Sequence, residues 1–400
     1  MSGNNPVSSL EIIPFLLKFI RFEHPQEYTM KLTASTSELQ KALNKVSGVL
    51  PSKSPTPILE DFLFDLVGNV LTLTATDLEV SLTTAIDVKG GEDGRIAIPG
   101  KRFIDTIRAL PGESHPTIVA ETTTNKIKIT TENGEYAFIG ENAKEYPSIP
   151  LFSGSEEVSI DAMELRRIIQ HTVFAVSTDD LRPAMMGVLF QSKGSELRAV
   201  STDGHRLVRY SKTVPEKSTL KKDIIVPAKA LHILTRSMEG GVSSISVSDT
   251  HIRFMFERST LLSRLIDEAY PSYESVIPTD NQKIVTINRD AMVSSIRRVA
   301  LYSSATTHQI RLGVKPGSVT VAAQDIDFGG EARETLPCEY DGEELEIGFN
   351  AQYMVEMLNH LDAEKVTFRF STPTRAGLLT PLGSNGAEVV MLVMPVRLTN

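Results

Sequence analysis

The sequence contains three tandem copies of one pattern, and this repeat limits the possible fold more than any other feature. Each copy begins with an amphipathic helix in which Leu39, Leu165 and Met292 hold equivalent places, 126 and 127 residues apart. The three helices are predicted over residues 37–49, 162–174 and 289–301. A repeat of this length indicates a chain built from tandem copies of one folding unit.

An acidic signature follows the first helix in every copy. Asp77, Asp203 and Asp325 end strand-like segments and lie 126 and 122 residues apart, within TATDLE, VSTDGH and AAQDID. An aspartate in such a place commonly binds the backbone of its own turn. We therefore expect the three carboxylates to shape turns.

Each copy then has a second helix and ends in a proline-bearing segment. The second helices are predicted over residues 98–110, 226–234 and 349–358. Pro99 and Pro227 suit a helix start, where a missing N–H is harmless. In the segments between the helices, such as residues 126–130, every second residue is apolar. This alternation indicates an antiparallel sheet with one buried face. The sequence predicts an α+β fold of three strand-rich units, each with two helices and roughly eight strands.

Residues 1–29 precede the repeats as an amino-terminal extension. Its apolar stretch at 10–22 is short for a membrane span and is interrupted by a proline and two cations. Residues 1–9 contain no Lys or Arg, so a secretory signal is not indicated. We expect a disordered or loosely docked segment, with a partner or membrane-surface helix as the alternative. The three domains are predicted over residues 30–153, 154–279 and 280–400.

Composition excludes several classes of site. The single cysteine, Cys338, rules out an intramolecular disulfide framework and a cysteine zinc cluster. The net charge of -9 argues against a protein whose whole surface binds polyanions. The predicted helices with their flanking residues nevertheless carry a net +7, counted over residues 37–53, 98–110, 161–174, 226–238, 289–302 and 349–361. Helices that share one side would therefore make that side basic. Such a side would bind the phosphates of a nucleic acid without recognising its base sequence.

No catalytic motif stands out. The chain has no phosphate-binding loop, no GxGxxG or GxSxG sequence and no HExxH motif, and its eight His are scattered. We expect no cofactor and no metal site. The best enzyme candidate is the cluster of Asp203, His205 and Arg206, which would act as an acid/base site if the side chains converged. That hydrolase or transferase remains an alternative, as does a repeat-built scaffold that only binds peptides.

Three α+β copies, with TDGHRL in the second and VMPVRL near the carboxyl end, closely resemble the bacterial DNA polymerase III beta subunit family, the DNA sliding clamps. The likeness covers residues 30–400. It implies a non-catalytic cytoplasmic, nucleoid-associated subunit of the polymerase III holoenzyme, without membrane association. It also implies a head-to-tail homodimer that forms a six-domain ring around duplex DNA and works with a clamp loader.

The resemblance implies three sets of site residues. The expected DNA-facing cations are Lys53, Lys101, Arg102, Arg182 and Lys229. At Arg182 the family's following aromatic pair is replaced by Pro183 and Ala184. The expected dimer contact places Tyr136 and Phe138 of one protomer against Leu301 and Tyr302 of the other.

The third set forms a pocket for a short extended peptide of the polymerase catalytic subunit and other partners. Its expected members are Met185, Thr202, Gly204, His205, Arg206, Leu207, Pro271, Val276, Leu392, Met394, Pro395, Val396, Arg397 and Leu398. Their apolar and methionine side chains suit an adaptable binding wall. Arg206 and Arg397 would hold peptide carbonyls or a carboxylate. Val396 replaces the family's more usual methionine.

Overall fold

The structure is a computed structural model that describes residues 29–153, 156–240, 242–325, 328–383 and 386–398. The expected amino-terminal extension, apart from Thr29, lies outside the described residues and stays a prediction.

The described chain has six α-helices, two in each copy of the repeat, as predicted. They are α1 (Thr36–Val46), α2 (Gly100–Ala109), α3 (Ala162–Thr172), α4 (Ala228–Ser237), α5 (Arg289–Ala300) and α6 (Ala351–Asn359). Asp161, Asn288 and Asn350 precede α3, α5 and α6 and accept hydrogen bonds from first-turn N–H groups. Proline takes the preceding position at α2 and α4, as the sequence indicated.

Short strands make up most of the remaining described chain. In the first copy they are β1 (Thr29–Thr33), β2 (Asp61–Val67), β3 (Val70–Thr76), β4 (Val80–Asp87), β5 (Lys89–Glu92), β6 (Gly94–Pro99), β7 (Thr117–Glu121), β8 (Lys126–Thr130) and β9 (Glu135–Ile139). In the second they are β10 (Glu156–Val158), β11 (Gly187–Lys193), β12 (Glu196–Thr202), β13 (Arg206–Thr213), β14 (Ile224–Pro227), β15 (Val242–Val247), β16 (His251–Phe256) and β17 (Ser259–Arg264). In the third they are β18 (Lys283–Asn288), β19 (Gln309–Lys315), β20 (Ser318–Asp325), β21 (Gly330–Pro337), β22 (Leu345–Asn350), β23 (Lys365–Phe370), β24 (Gly377–Pro381) and β25 (Glu388–Val393).

The described chain divides into two compact units. Unit 1 comprises residues 29–40, 61–72 and 86–146, and unit 2 comprises residues 41–60, 73–85 and 147–398. The boundaries predicted at 153 and 279 stay a prediction.

Unit 1 contains an antiparallel sheet in the order β5-β1-β7-β8-β9, and in the same unit β2 pairs antiparallel with β6. Helix α2 packs on β2 and β6. It buries Phe103 completely, with the ring edge-on to Phe64 at 5.1 Å and to Phe138 at 6.4 Å. This aromatic contact forms the centre of the unit.

Unit 2 contains two strand pairs that join successive copies of the repeat. Strand β17, which closes the second copy, pairs antiparallel with residues 80–84 of β4. Strand β25, which closes the third copy, pairs antiparallel with β13. Both β4 and β13 directly follow a repeated aspartate, so the two junctions use equivalent strands.

The third strand of this type, β21, follows Asp325 and ends the four-stranded sheet β21-β20-β19-β22 of unit 2. Strand β9, which closes the first copy, likewise ends the five-stranded sheet of unit 1. Each of these strands has a single neighbour among the strands that the structure describes. The chain therefore presents two sheet edges that are equivalent to the strands paired at the internal junctions.

Candidate functional site

The repeated aspartates shape their own turns, as the sequence indicated. Oδ1 of Asp77 accepts hydrogen bonds from the N–H groups two and three residues later, at 3.0 and 2.7 Å. Oδ1 of Asp203 accepts the two equivalent bonds, each of 2.9 Å. Oδ1 of Asp325 accepts a bond from the N–H of Phe328 at 3.3 Å.

The residue after the aspartate takes a left-handed backbone conformation in the first two copies. Leu78 has φ of 77° and Gly204 has φ of 89°. Glycine adopts this conformation without a steric penalty, whereas leucine adopts it with one because of its Cβ. A Cβ on Gly204 would also lie 2.9 Å from Nη1 of Arg182. The glycine of TDGHRL is therefore favoured by the backbone, and a larger residue there would displace the end of the Arg182 side chain.

Arg206 is buried at the end of the second turn. Its Nε donates to Asp203 at 3.1 Å, its Nη1 to Glu356 at 2.6 Å, and its Nη2 to the carbonyl oxygen of Phe174 at 2.9 Å. The guanidinium lies over the rings of Phe174 and Tyr353, 5.2 and 4.8 Å from their centroids. Most of the donors of Arg206 thus already have partners in the chain, and its role towards a ligand stays a prediction.

His205 is exposed beside this cluster. Its ring stacks on Tyr353 with centroids 5.9 Å apart, and its carbonyl oxygen accepts a 2.8 Å bond from the N–H of Met394. The carboxylate of Asp203 binds turn N–H groups and Arg206 instead of activating the imidazole. This arrangement supports a binding wall and does not favour the hydrolase alternative.

An apolar floor lies under the expected peptide pocket. Leu207 and Leu392 are nearly fully buried, on the neighbouring strands β13 and β25. They belong to a cluster with Leu189, Val200, Ile225, Tyr273, Ala376, Leu378 and Val390. Met185 and Thr202 are also buried, whereas Val276 and Met394 expose 54% and 44% of their surface. Val276 and Met394, together with the exposed Pro271, are therefore the apolar pocket residues available to a ligand.

The segment 271–276 carries the expected pocket residues Pro271 and Val276. Tyr273 is inserted into the apolar floor. The carboxylate of Glu274 accepts hydrogen bonds from Nζ of Lys193 and Nη1 of Arg198, both at 2.6 Å. These two cations lower the pKa of Glu274, with Lys193 the larger cause. The segment is thus fastened to the second copy by one aromatic ring and two ion pairs.

The carboxyl-terminal segment runs beside the third copy. The N–H of Val396 donates to the carbonyl oxygen of Gly348 at 2.9 Å. A Cβ on Gly348 would meet that valine's carbonyl oxygen at 2.7 Å and Cδ2 of Leu398 at 2.8 Å, so the close approach needs glycine. Pro395 and Leu398 are half-buried, and Arg397 is exposed.

The five expected DNA-facing cations differ in their surroundings. Lys53 is exposed in the loop after α1, and Lys101 and Arg102 are exposed in the first turn of α2. Lys229 forms an ion pair with Asp77. Arg182 binds Asp179 at 2.8 Å and donates to the carbonyl oxygen of Asp203 at 3.2 Å, so it braces the pocket turn.

The four expected dimer residues differ in their exposure to solvent. Leu301 and Tyr302, at the end of α5, expose 81% and 47% of their surface, and Tyr136 of β9 exposes 41%. Phe138 is buried and packs in the core of unit 1. Ile139, which the sequence reasoning did not single out, exposes 63% at the end of the same strand.

The surroundings of the single cysteine disfavour thiol chemistry. Cys338 is partly buried, and burial together with Glu339 raises the pKa of its thiol, which disfavours the reactive thiolate. Within the described ranges, no group of three or more His, Cys, Asp or Glu side chains is placed to hold a metal ion. None of the described helices is long and apolar enough to cross a membrane.

Comparison with known proteins agrees with the geometry. Sequence profiles of the DNA polymerase III beta subunit match in chain order: the N-terminal domain at residues 30–150, the central domain at 159–272 and the C-terminal domain at 274–397. The beta sliding clamp of Caulobacter vibrioides is 32% identical over 374 residues, which cover 92% of this chain and 100% of that protein. The beta sliding clamp of Pseudomonas putida is 31% identical over 372 residues, with 92% and 100% coverage.

Solved structures give the same result. A Pseudomonas aeruginosa DNA polymerase sliding clamp with a ligand superposes with a TM-score of 0.84 at 31% identity. A Bartonella birtlesii sliding clamp bound to griselimycin gives 0.87 at 27% identity. Both comparisons cover 92% of this chain and 100% of the other. The three matched domains and the full-length relatives show that this chain belongs to the DNA polymerase III beta subunit family, the bacterial sliding clamps.

Proposed function

We propose that two copies of this chain close head to tail into a ring around duplex DNA and tether the replicative polymerase to it. Each copy contributes three clamp domains, at residues 30–153, 154–279 and 280–400. The protein works in the cytoplasm at the nucleoid, as a non-catalytic subunit of the DNA polymerase III holoenzyme. A clamp loader opens and closes the ring.

The observation that carries this proposal is the pair of sheet edges at β9 and β21. At both internal junctions, a strand that follows a repeated aspartate pairs with the closing strand of the next copy. Extending that rule joins β21 of one protomer to β9 of another. Each contact is heterologous, and two of them related by a twofold axis close a ring and use both exposed edges.

Apolar side chains near these edges support the same assembly. Tyr136 and Ile139 are exposed on β9, and Leu301, Tyr302 and Phe328 are exposed near β21. Leu301 and Phe328 each expose more than four-fifths of their surface. Clustered apolar exposure of this kind is typical of an interface. Phe138 would support the contact from within the core of unit 1 instead of touching the partner.

Duplex DNA passes through the ring with weak wall contacts. The proposed DNA-facing cations are Lys53, Lys101, Arg102, Arg182 and Lys229. Lys229 and Arg182 are engaged by acidic residues of the chain, so they would hold phosphates less strongly than exposed cations. Few tight phosphate contacts favour sliding, and the closed ring supplies the long residence on DNA.

The peptide pocket tethers the polymerase catalytic subunit and other clamp-binding proteins. Its proposed residues are Met185, Thr202, Gly204, His205, Arg206, Leu207, Pro271, Val276, Leu392, Met394, Pro395, Val396, Arg397 and Leu398, with Tyr353 added by the stacking on His205. An apolar floor and an exposed Met and Val offer an adaptable surface for apolar side chains. A tether of this kind raises the local concentration of polymerase at the primer end.

A topology experiment tests the ring. The protein is loaded on nicked circular plasmid by a matched clamp loader with ATP, and retention is followed on a sizing column before and after the plasmid is linearised. Retention on circles with loss from linear DNA is expected. Loss from both DNA forms, with a control clamp loaded normally, would reject the ring and favour the peptide-binding scaffold. Equal retention on both would show direct binding and contradict the weak wall.

A further inference from the structure

The buried guanidinium of Arg206 has no counterpart in the first copy of the repeat. The two turns are otherwise built alike, because Thr76 and Thr202 make equivalent bonds to the carbonyl oxygens of Val80 and Arg206, at 3.2 and 2.7 Å. Val80 is an apolar core residue. A buried cation in the same place costs free energy unless its donors are satisfied.

The partners of Arg206 come from both sides of a domain junction. Asp203 and Phe174 belong to the second copy, whereas Glu356 and Tyr353 belong to α6 in the third. Glu356 is the one carboxylate among these that reaches across the junction. Its side chain is 44% exposed, so it is not part of the apolar core.

The pocket wall depends on this junction. The Tyr353 ring under the Arg206 guanidinium also stacks on His205. The carbonyl oxygen of His205 accepts a hydrogen bond from the N–H of Met394. Arg206 therefore lies behind the wall that His205 and Met394 present to a ligand. The ion pair of Arg206 with Glu356 therefore helps to set the spacing between the second copy and α6, beside the stacking of Phe174 on His360.

We propose that Glu356 is a positioning residue of the peptide pocket, which holds Arg206 and Tyr353 so that His205 and Met394 are preset to receive a ligand. This inference rests on the proposed pocket. Glu356 acts through Arg206, so its loss weakens binding of pocket ligands even though it does not line the apolar floor. Preset walls bind more tightly because less ordering is left for the binding step.

Griselimycin, which the Bartonella birtlesii clamp holds, serves as the probe. Its affinity is measured by calorimetry for the full chain and for Glu356→Ala, Glu356→Gln and Glu346→Ala. Glu346 provides a matched control, because it is an exposed glutamate in the same copy with a 3.6 Å contact to Arg311. We expect Glu356→Ala to bind about tenfold more weakly, since a hydrogen bond to a charged group is lost. Glu356→Gln, which keeps an oxygen for the guanidinium, should recover part of the affinity, and Glu346→Ala should bind like the wild type.

Thermal unfolding of the same variants separates positioning from general stability. Equal affinity for Glu356→Ala and the wild type would overturn the proposal. So would a loss of affinity that Glu356→Gln does not recover at all. Failure of the wild-type protein to bind griselimycin would instead reject the proposed pocket itself, which is a distinguishable result.

Discussion

Lys229 of α4 forms an ion pair with Asp77 of the first repeated turn, although 152 residues separate them in the chain. The same carboxylate holds two N–H groups of its own turn. Asp77 therefore serves both the turn and the junction between the first and second copies. The pair also neutralises a lysine that would otherwise be available to phosphates.

Lys101→Ala should weaken the binding of linear duplex DNA more than Lys229→Ala, because Lys101 is exposed and Lys229 is paired. Each lost phosphate contact lowers the slope of log affinity against log salt by about 0.9. Fluorescence anisotropy with labelled DNA, between roughly 50 and 200 mM salt, gives the slopes. Equal slopes for the two variants would contradict the assignment.

Asp77→Ala should destabilise the protein by about 2 kcal/mol, because two turn N–H groups and Lys229 lose their acceptor. Urea unfolding measures the change. Asp249→Ala is the matched control, since that carboxylate pairs with Lys222 at 2.8 Å but is almost fully exposed, and we expect little effect there. If Asp77→Ala lowered the free energy of unfolding no more than Asp249→Ala does, the turn bonds would contribute nothing to stability.

Gly204→Ala and Leu78→Gly should change stability in opposite directions. Alanine at 204 is strained by the positive φ and by the approach of Arg182, and should cost about 1–2 kcal/mol. Leu78 is 59% exposed at a positive φ, so glycine relieves strain there and loses little packing. Denaturant midpoints compare the pair. A destabilised Leu78→Gly would show that leucine packing outweighs the backbone strain.

The sequence predicted the helices and the aspartate turns well, because both depend on short-range patterns. Apolar spacing located all six helices, and the strand-ending aspartates indicated the turns at 77 and 203. The ion pairs of Arg182 and Lys229 were not predicted. Lys229 and Asp77 lie in different copies, and no local pattern links them.

Tyr353 and Glu356 were missed for the same reason. The repeat indicates the element, since α6 meets the second turn as α4 meets the first, but not the residues: Lys229 is the second residue of α4 and Glu356 is the sixth of α6. The burial of Phe138 was missed as well. Its strand alternation does not separate it from Tyr136, which lies on the same face but is more exposed.

Glu334→Gln should remove an acid-dependent part of the stability. Arg298 binds both carboxylate oxygens of Glu334 at 2.7 Å and lowers its pKa from 4.5 to about 2. Because the folded-state pKa is depressed, the stabilisation is present above pH 4.5 and is lost as the pH falls towards 2. The difference in melting temperature between wild type and Glu334→Gln should therefore shrink on acidification through that range. A constant difference would contradict it, and Glu331→Gln on the same strand is the control.

Leu301→Ala combined with Tyr302→Ala should shift the protein from dimer to monomer. Both side chains are exposed at the end of α5, which packs against β21, so their truncation removes apolar area from the proposed contact without opening a core. Light scattering measures the mass across a dilution series. Met163→Ala, which truncates an apolar side chain of α3 that is 65% exposed, should remain dimeric. An unchanged dimer mass in the double variant would move the contact away from this end of β21. A monomer that still unfolds cooperatively would show that the edge strands need these two side chains to pair, because an exposed edge alone binds weakly without apolar cover.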